Sequence, residues 1–119
     1  MDFEIHFYER ILDRKPDFVQ ALMALGDLYT KKGRFQEGLT LDRRLSQLRP
    51  EDPYVFYNLA CSYSLINDIA KAASVMKLAV KNGYRNFVFL ENDRDLVNLL
   101  KDADFRRYLD EVKQTRTVS

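Results

Sequence analysis

The sequence predicts an all-α protein built from stacked helical repeats. Residues 21–29 recur in register at residues 55–63, an interval of thirty-four positions. The matching pairs are Leu22 with Phe56, Leu25 with Leu59, Gly26 with Ala60 and Tyr29 with Tyr63. Pro16 and Pro50 are separated by the same interval, and no alternating strand-like run lies between the turns. A period of this size indicates repeated units that pack on their neighbours, so we predict an α-α superhelix of antiparallel helix hairpins.

The first helix is predicted over residues 3–14. Phe3, Phe7 and Ile11 follow one helical line, which is the spacing of an amphipathic helix. Pro16 ends this helix, because the residue before a proline is pushed out of helical geometry.

The next two helices are predicted to end near residue 32 and to span about residues 35–48. Asp17 and Gln20 have the spacing of a capping box, in which a short acceptor is followed by an amide three residues later. Gly33 is expected to supply a left-handed cap between the two helices.

The cycle then repeats, with helices predicted at about residues 53–66 and 69–81. Asp52 is placed to cap the first of them, and Pro53 fits the first helical position. Gly83 is expected to cap the second.

After Gly83 the period is lost, and the sequence predicts short helices at about 84–90, 93–100 and 104–112. We interpret this segment as a cap that seals the open end of the repeat core. The chain is therefore predicted to be one domain, whose parts are a half repeat (1–16), repeat one (17–50), repeat two (51–84), capping helices (85–115) and a frayed tail (116–119).

This pattern resembles the tetratricopeptide repeat (TPR) family, whose unit is a 34-residue helix–turn–helix. The matching residues of the first unit are Leu22, Leu25, Gly26, Tyr29, Gly38, Leu45 and Pro50, and those of the second are Phe56, Leu59, Ala60, Tyr63, Ala72 and Ala79. Asp42 and Tyr84 depart from the pattern, where an aromatic residue and a proline are usual. Residues 3–16 resemble the second helix of a preceding unit. The resemblance implies a TPR-like solenoid whose first helices line a concave surface.

That surface is the candidate binding site, formed by groove residues that the core does not use. They are Gln20, Met23, Asp27, Thr30, Lys31, Tyr54, Tyr57, Asn58, Cys61, Ser64 and Leu65. Exposed tyrosine and methionine are typical of interfaces, so we expect a protein or peptide partner of unknown identity. The alternative is that the C-terminal segment folds over the groove and buries the tyrosines itself.

Some TPR relatives hold a partner's terminal carboxylate with lysine, arginine and asparagine. Asn58 matches one such position, but Met23, Asp27, Val88 and Asn92 stand where the other polar or basic residues would be needed. We therefore expect no carboxylate-clamp activity.

The charge distribution disfavours a strongly electrostatic partner, because the net charge is only +1. Residues 31–50 are locally basic, which is typical of a solvated face. The other interpretation is a face for an acidic partner or single-stranded RNA, and we consider nucleic acid the weaker of these.

Nothing in the sequence indicates an enzyme, a cofactor or a metal site. His6 is the single histidine, Cys61 is the single cysteine, and no group has metal-ligand spacing. The acid pairs at predicted helix starts are explained by capping; they are Asp93 with Asp95 and Asp102 with Asp104. A lone cysteine, an acidic N-terminus and the lack of a long apolar run favour a cytoplasmic protein without a membrane span.

The first helix lacks the partner helix that would precede it in a complete unit. Its exposed side therefore suggests an alternative function, a self-associating structural subunit that forms a homodimer through the N-terminal half repeat.

Overall fold

The computed structural model describes residues 2–118, with side chains described from residue 2 to residue 115. The helices are α1 (Phe3–Arg14), α2 (Val19–Lys31), α3 (Phe35–Leu48), α4 (Pro53–Leu65), α5 (Ile69–Lys81), α6 (Phe87–Asn92), α7 (Val97–Leu100) and α8 (Ala103–Val118). A 3₁₀ turn, Arg94–Leu96, joins α6 to α7. No strand occurs within residues 2–118, so the predicted all-α class is confirmed. The frayed tail predicted for 116–119 stays a prediction, since Ser119 and the side chains of 116–118 lie outside the description.

Consecutive helices pack on one another in chain order. Short turns join α2 to α3 and α4 to α5, and extensive contact between the members of each pair makes them antiparallel hairpins. α1 packs on α2, and α3 packs on α4, so that the hairpins stack into an elongated body of 48 × 25 × 21 Å. The molecule is therefore a helical-repeat stack, as the period of the sequence predicts.

Small residues allow the two helices of each hairpin to approach closely. A Cβ atom added to Gly38 would lie 2.8 Å from Thr30 Oγ1, and one added to Gly26 would lie 3.3 Å from Asp42 Oδ1. Ala60 and Ala72, at the equivalent positions of the second hairpin, have no exposed surface. The repeat pattern thus reflects a steric requirement at the helix crossings.

The predicted cap of the fourth helix is confirmed. Asp52 accepts hydrogen bonds from the backbone N–H groups of Tyr54 and Val55, at 2.9 and 3.4 Å. Gly33 and Gly83 adopt positive φ angles of 79° and 116° at the ends of α2 and α5, the conformation that favours glycine.

The predicted capping box of α2 is wrong. Phe18 occupies the N-cap position and makes no side-chain capping bond. Because Asp17 stands one residue too early to cap α2, its carboxylate instead accepts hydrogen bonds from Arg44 of α3, with the Arg44 Nε at 2.9 Å. An ion pair between the α1–α2 turn and α3 thus replaces the local cap.

The helical line noted in α1 is not the face that packs on the repeats. Ile5 is buried with Tyr8 and Leu12 beside it, whereas Phe3 and Phe7 are 79 % and 58 % exposed. Both lines satisfy the helical period, and α2 lies on the side of Ile5. The first helix therefore turns its two phenylalanines to solvent.

The C-terminal segment belongs to the same core as the second hairpin. Leu90, Leu96, Leu99, Phe105 and Leu109 are buried in one cluster with residues of α4 and α5. α6 begins at Phe87, later than predicted, because the Asn86 side chain caps it through the N–H of Phe89. α8 is longer than predicted. The segment therefore packs on the second hairpin, and its role as a cap stays a prediction.

Candidate functional site

A cleft of about 300 Å³ opens between α2, α3, α4 and the start of the C-terminal segment. We call this feature the cleft throughout. It is lined by Met23, Gly26, Asp27, Thr30, Asp42, Leu45, Tyr57, Asn58, Cys61, Ser62, Phe89, Asp93 and Asp95. Six of the eleven predicted groove residues border the cleft, and the other five lie outside its lining.

The second-repeat side of the groove is closed by the C-terminal segment. Tyr57 is 5 % exposed, Cys61 is also buried, and Ser64 has no exposed surface. The Ser64 Oγ accepts a hydrogen bond from the N–H of Leu99 at 3.2 Å, which ties α7 to α4. The expectation that these three side chains stay outside the core is wrong, because docking of residues 87–100 buries them.

Tyr57 is held by two contacts with the C-terminal segment and one with the turn before it. Its hydroxyl donates to Asp93 Oδ2 at 2.7 Å, and its ring stacks on Tyr84 at a centroid distance of 4.5 Å. Phe89 lies 6.0 Å from the same ring. Tyr57 is therefore a wall of the cleft rather than a free contact residue.

The remaining second-repeat candidates are more accessible. Tyr54 is 66 % exposed and makes an edge contact with Tyr84, and Asn58 is exposed at the border of the cleft. Leu65 is half-buried at the end of α4. The alternative interpretation, in which both tyrosines are covered, thus holds for Tyr57 and not for Tyr54.

The first-repeat side of the groove stays open. Met23 and Asp27 are exposed at the border of the cleft, while Thr30 is half-buried and donates to the Gly26 carbonyl at 3.0 Å. Gln20 is exposed outside the cleft, and Lys31 forms a surface ion pair with Asp27 at 2.9 Å. This side of the groove is therefore accessible to solvent.

The cleft is acidic. Asp27, Asp42, Asp93 and Asp95 contribute four carboxyl groups, and the lining contains no lysine, arginine or histidine. The burial of Asp95 and the charge of Asp93 raise the pKa of the Asp95 carboxyl. The lining is therefore net acidic, although Asp27 is paired with Lys31, and an acidic lining favours a cationic group.

Asp42 forms the floor of the cleft and is 8 % exposed. Its Oδ2 accepts a hydrogen bond from the Ser62 hydroxyl at 2.5 Å, which links α3 to α4. Burial raises the pKa of Asp42 to about 6; the Ser62 bond lowers it and the charge of Asp27 raises it further. The residue that departs from the TPR pattern thus makes the polar link between the two hairpins.

An apolar rim stands beside this acidic floor. Met23 on α2 and Phe89 on α6 are 44 % and 56 % exposed, although both border the cleft. Large exposed apolar side chains around a concave site are characteristic of binding surfaces. The rim and the floor together suit a ligand that carries both apolar and cationic groups.

Sequence reasoning missed Asp42, Asp93, Asp95 and Phe89 as site residues. Asp93 was interpreted as a cap, and it does accept from the N–H of Asp95 at 3.0 Å. Its second oxygen, which binds Tyr57, could be found only from the tertiary contact. The one available signal was Asp42, an acid at a position where an aromatic residue is usual.

The cleft is not arranged for nucleophilic chemistry. Burial, followed by the charge of Asp93, raises the pKa of the Cys61 thiol well above its ordinary value, so the thiol is held protonated. Among residues 2–118 no group of three potential ligands could hold a metal ion.

The locally basic segment is largely neutralised by ion pairs. Lys31, Lys32, Arg34 and Arg44 lie within 4.0 Å of carboxylates, which belong to Asp27, Asp2, Glu37 and Asp17 respectively. These pairs reduce the positive potential of the face and give no support to an RNA or acidic partner.

Comparison with known proteins finds two partial relatives, both from Arabidopsis thaliana. The chain is 35 % identical over 80 residues to a protein that is named as chloroplastic, covering 65 % of this chain and 24 % of the relative. It is 32 % identical over 72 residues to "Protein CTR9 homolog", covering 60 % of this chain and 6 % of the relative. The chain spans less than a quarter of each relative's length, and no family model matches it. In the part of the chain that the structure describes, no helix is long and apolar enough to cross a membrane.

Proposed function

We propose that the chain is a TPR-type interaction scaffold that binds a peptide or helix of a partner protein in the cleft. The residues that resemble the repeat motif support this family, since Leu25, Tyr29, Leu59 and Tyr63 are all buried at equivalent positions of the two hairpins. In stacked helix pairs the concave surface formed by the first helices is the usual binding surface, and the cleft lies beside α2 and α4.

The observation that carries the proposal is the pairing of an acidic floor with an exposed apolar rim. The lining holds four carboxyl groups and no basic side chain; Asp27 pairs with Lys31 beside the cleft, and the other three favour a lysine or arginine of the partner. Met23 and Phe89 offer apolar contact on either side. We therefore propose that the partner segment is an extended or helical peptide in which a basic residue is flanked by apolar ones.

The scaffold is proposed to be non-enzymatic, to need no cofactor and to act in the cytoplasm. The buried, protonated Cys61 supports a structural role for the only thiol. One partial relative carries the word "chloroplastic" in its name, so a plastid is the other compartment to examine.

Selection from a displayed library of random peptides, with the full chain as bait, tests the proposal. We expect enriched sequences to place a lysine or arginine within one helical turn of an apolar residue. Peptides that end in a free carboxylate among acidic residues should not be enriched, because the cleft would repel them. Recovery of no common sequence, or of acidic sequences only, would overturn the proposal.

Variants of the cleft then show where the selected peptide binds. Phe89→Ala should weaken binding about fivefold or more, as expected for an apolar contact near the centre of an interface. Asp27→Asn should weaken binding only a few-fold, because Asp27 is exposed and already pairs with Lys31, so that an ion pair with the peptide would be screened by solvent.

The matched controls are Leu78→Ala and Asp110→Asn, which remove an exposed apolar and an exposed acidic side chain outside the cleft. Both should bind as the wild type does. Equal loss in cleft and control variants would place the binding surface elsewhere on the molecule.

A further inference from the structure

The outward face of α1 carries two exposed phenylalanine rings. Phe3 and Phe7 are the exposed aromatic residues of α1, and they border a shallow hollow of about 450 Å³. The opposite face of α1 packs on the repeats through Ile5, so among the described residues the exposed side is not part of the core. Exposed apolar patches on a helix commonly mark an interaction surface.

This face has two chemically different halves. With about 100° between successive residues, Phe3, Phe7, Arg10 and Arg14 fall within a stripe about 60° wide. The N-terminal half of the stripe is aromatic and the C-terminal half is cationic. Among residues 2–115 no carboxylate lies within ion-pair distance of Arg10 or Arg14.

We propose that this face binds the same face of a second copy, with the two α1 helices antiparallel and Phe7 at the two-fold axis. In this register Phe3 of one copy faces Ile11 of the other and lies between the other copy's Arg10 and Arg14. Each aromatic half then meets a cationic half. An isologous contact of this kind closes with two chains.

The residues of the stripe favour a second copy of α1 as the occupant and an antiparallel pairing of the two helices. A guanidinium over an aromatic ring is a favourable cation–π contact, and the fold already uses one, with Arg34 4.4 Å from the Tyr29 ring. A parallel pairing would set arginine against arginine and leave the rings without cations. The antiparallel copy of α1 supplies the required groups at the required spacing.

The interface is small, because one face of a twelve-residue helix supplies it. Contacts of this size fall at the weak end of specific association, so the dimer should form at concentrations of about 10 µM or above. Sedimentation equilibrium between about 1 µM and about 1 mM should therefore show the mass rising from one chain to two and no further.

Phe7→Glu should abolish the rise in mass, because it sets two carboxylates against each other at the axis. The matched control is Val88→Glu, which charges an exposed apolar side chain of α6 outside the cleft and should dimerise as the wild type does. A wild-type chain that stays monomeric over the whole range, or a loss of association in both variants, would overturn the proposal.

Cysteine cross-linking tests the register. The native Cys61 is buried, so an introduced surface thiol reacts alone. Phe7→Cys should form a disulfide with the same position of the second copy, across the two-fold axis. Phe3→Cys should not, since the two positions would be about 12 Å apart along the axis, beyond the reach of a disulfide of about 7 Å. A mixture of Phe3→Cys and Ile11→Cys chains should link. Equal self-linking by Phe3→Cys and Phe7→Cys would contradict the antiparallel register.

Discussion

Replacing Asp42 with asparagine should stabilise the folded chain at neutral pH. Asp42 is buried at the floor of the cleft, and one of its oxygens accepts a hydrogen bond from Ser62. An asparagine has nearly the same shape, and its side-chain oxygen can accept the same bond. The substitution therefore removes the buried charge and keeps the link between α3 and α4.

The magnitude follows from the pKa of Asp42, which burial raises from its ordinary value of 3.8 to about 6. This rise corresponds to about 3 kcal/mol, the cost of ionising the group in the folded rather than the unfolded chain. Because the new amide N–H₂ must also find hydrogen-bond partners at the floor of the cleft, we expect a smaller net gain of about 1–2 kcal/mol for Asp42→Asn above pH 6.

The stability difference between the two proteins should change with pH in one direction, which follows from the state that binds the proton. Between pH 4 and pH 6 the folded chain holds a proton on Asp42 that the unfolded chain has released, so the wild type loses stability as the pH rises through this range. The asparagine variant lacks this loss. The difference between the two proteins should be small below pH 4, should grow up to about pH 6 and should then stay constant.

Urea unfolding of both proteins at a series of pH values measures this difference directly. Asp110→Asn, at an exposed position of α8, is the control and should match the wild type throughout. A difference that does not vary with pH, or an Asp42→Asn chain that is less stable at pH 7, would refute the reasoning.

Three further predictions concern the stability of the fold. Leu99→Ala should lower the free energy of unfolding by about 2–5 kcal/mol, because this side chain of α7 is fully buried in the core shared with α4 and α5. Val97→Ala, at an exposed position of the same helix, should change it by about 0.5 kcal/mol at most, and equal effects would show that α7 does not share that core. Tyr57→Phe should lower the free energy of unfolding in urea by about 1–2 kcal/mol, because it removes the hydrogen bond from the Tyr57 hydroxyl to Asp93. An unchanged unfolding midpoint would argue against that hydrogen bond. Gly33→Ala should lower the free energy of unfolding, measured by thermal unfolding, by about 1–2 kcal/mol, because a φ of 79° disfavours a residue with a side chain. No atom lies within 4 Å of the added Cβ, so an unchanged stability would mean that the turn relaxes.

The repeat core could be predicted because it depends on local periodicity. Leu25 and Tyr29 recur as Leu59 and Tyr63, and a helix that keeps this spacing has one face to bury. The structure buries all four. The turn glycine at residue 33 could be predicted for a similar reason, since a left-handed cap is a requirement of the backbone.

The cleft could be predicted only in part, because tertiary docking decides which groove residues remain accessible. Tyr57 lies on the helical face that the sequence left free, and the C-terminal segment covers it with Phe89 and Asp93. Nothing in the local pattern of residues 84–100 indicates where this segment docks, since the period is lost there. The capping box at Asp17 failed for a related reason, because the cap competes with an ion pair to Arg44, twenty-seven residues away.

α1 shows a third limit of sequence reasoning. Two apolar lines, one through Ile5 and one through Phe3 and Phe7, both fit a helical period, and packing on α2 selects the first. The second line is then left at the surface. The same ambiguity that prevented a prediction of the packed face indicates a surface suited to self-association.

A double-mutant cycle between the cleft and a selected peptide tests the central claim most directly. The affinity of the wild-type chain and of Asp27→Asn would be measured by titration calorimetry, each with the peptide and with a form whose basic residue is replaced by alanine. If the basic residue enters the cleft, the two changes should be coupled by about 0.5 kcal/mol or more. Strictly additive losses, or an affinity that neither change alters, would contradict the assignment of the cleft as the partner-binding site.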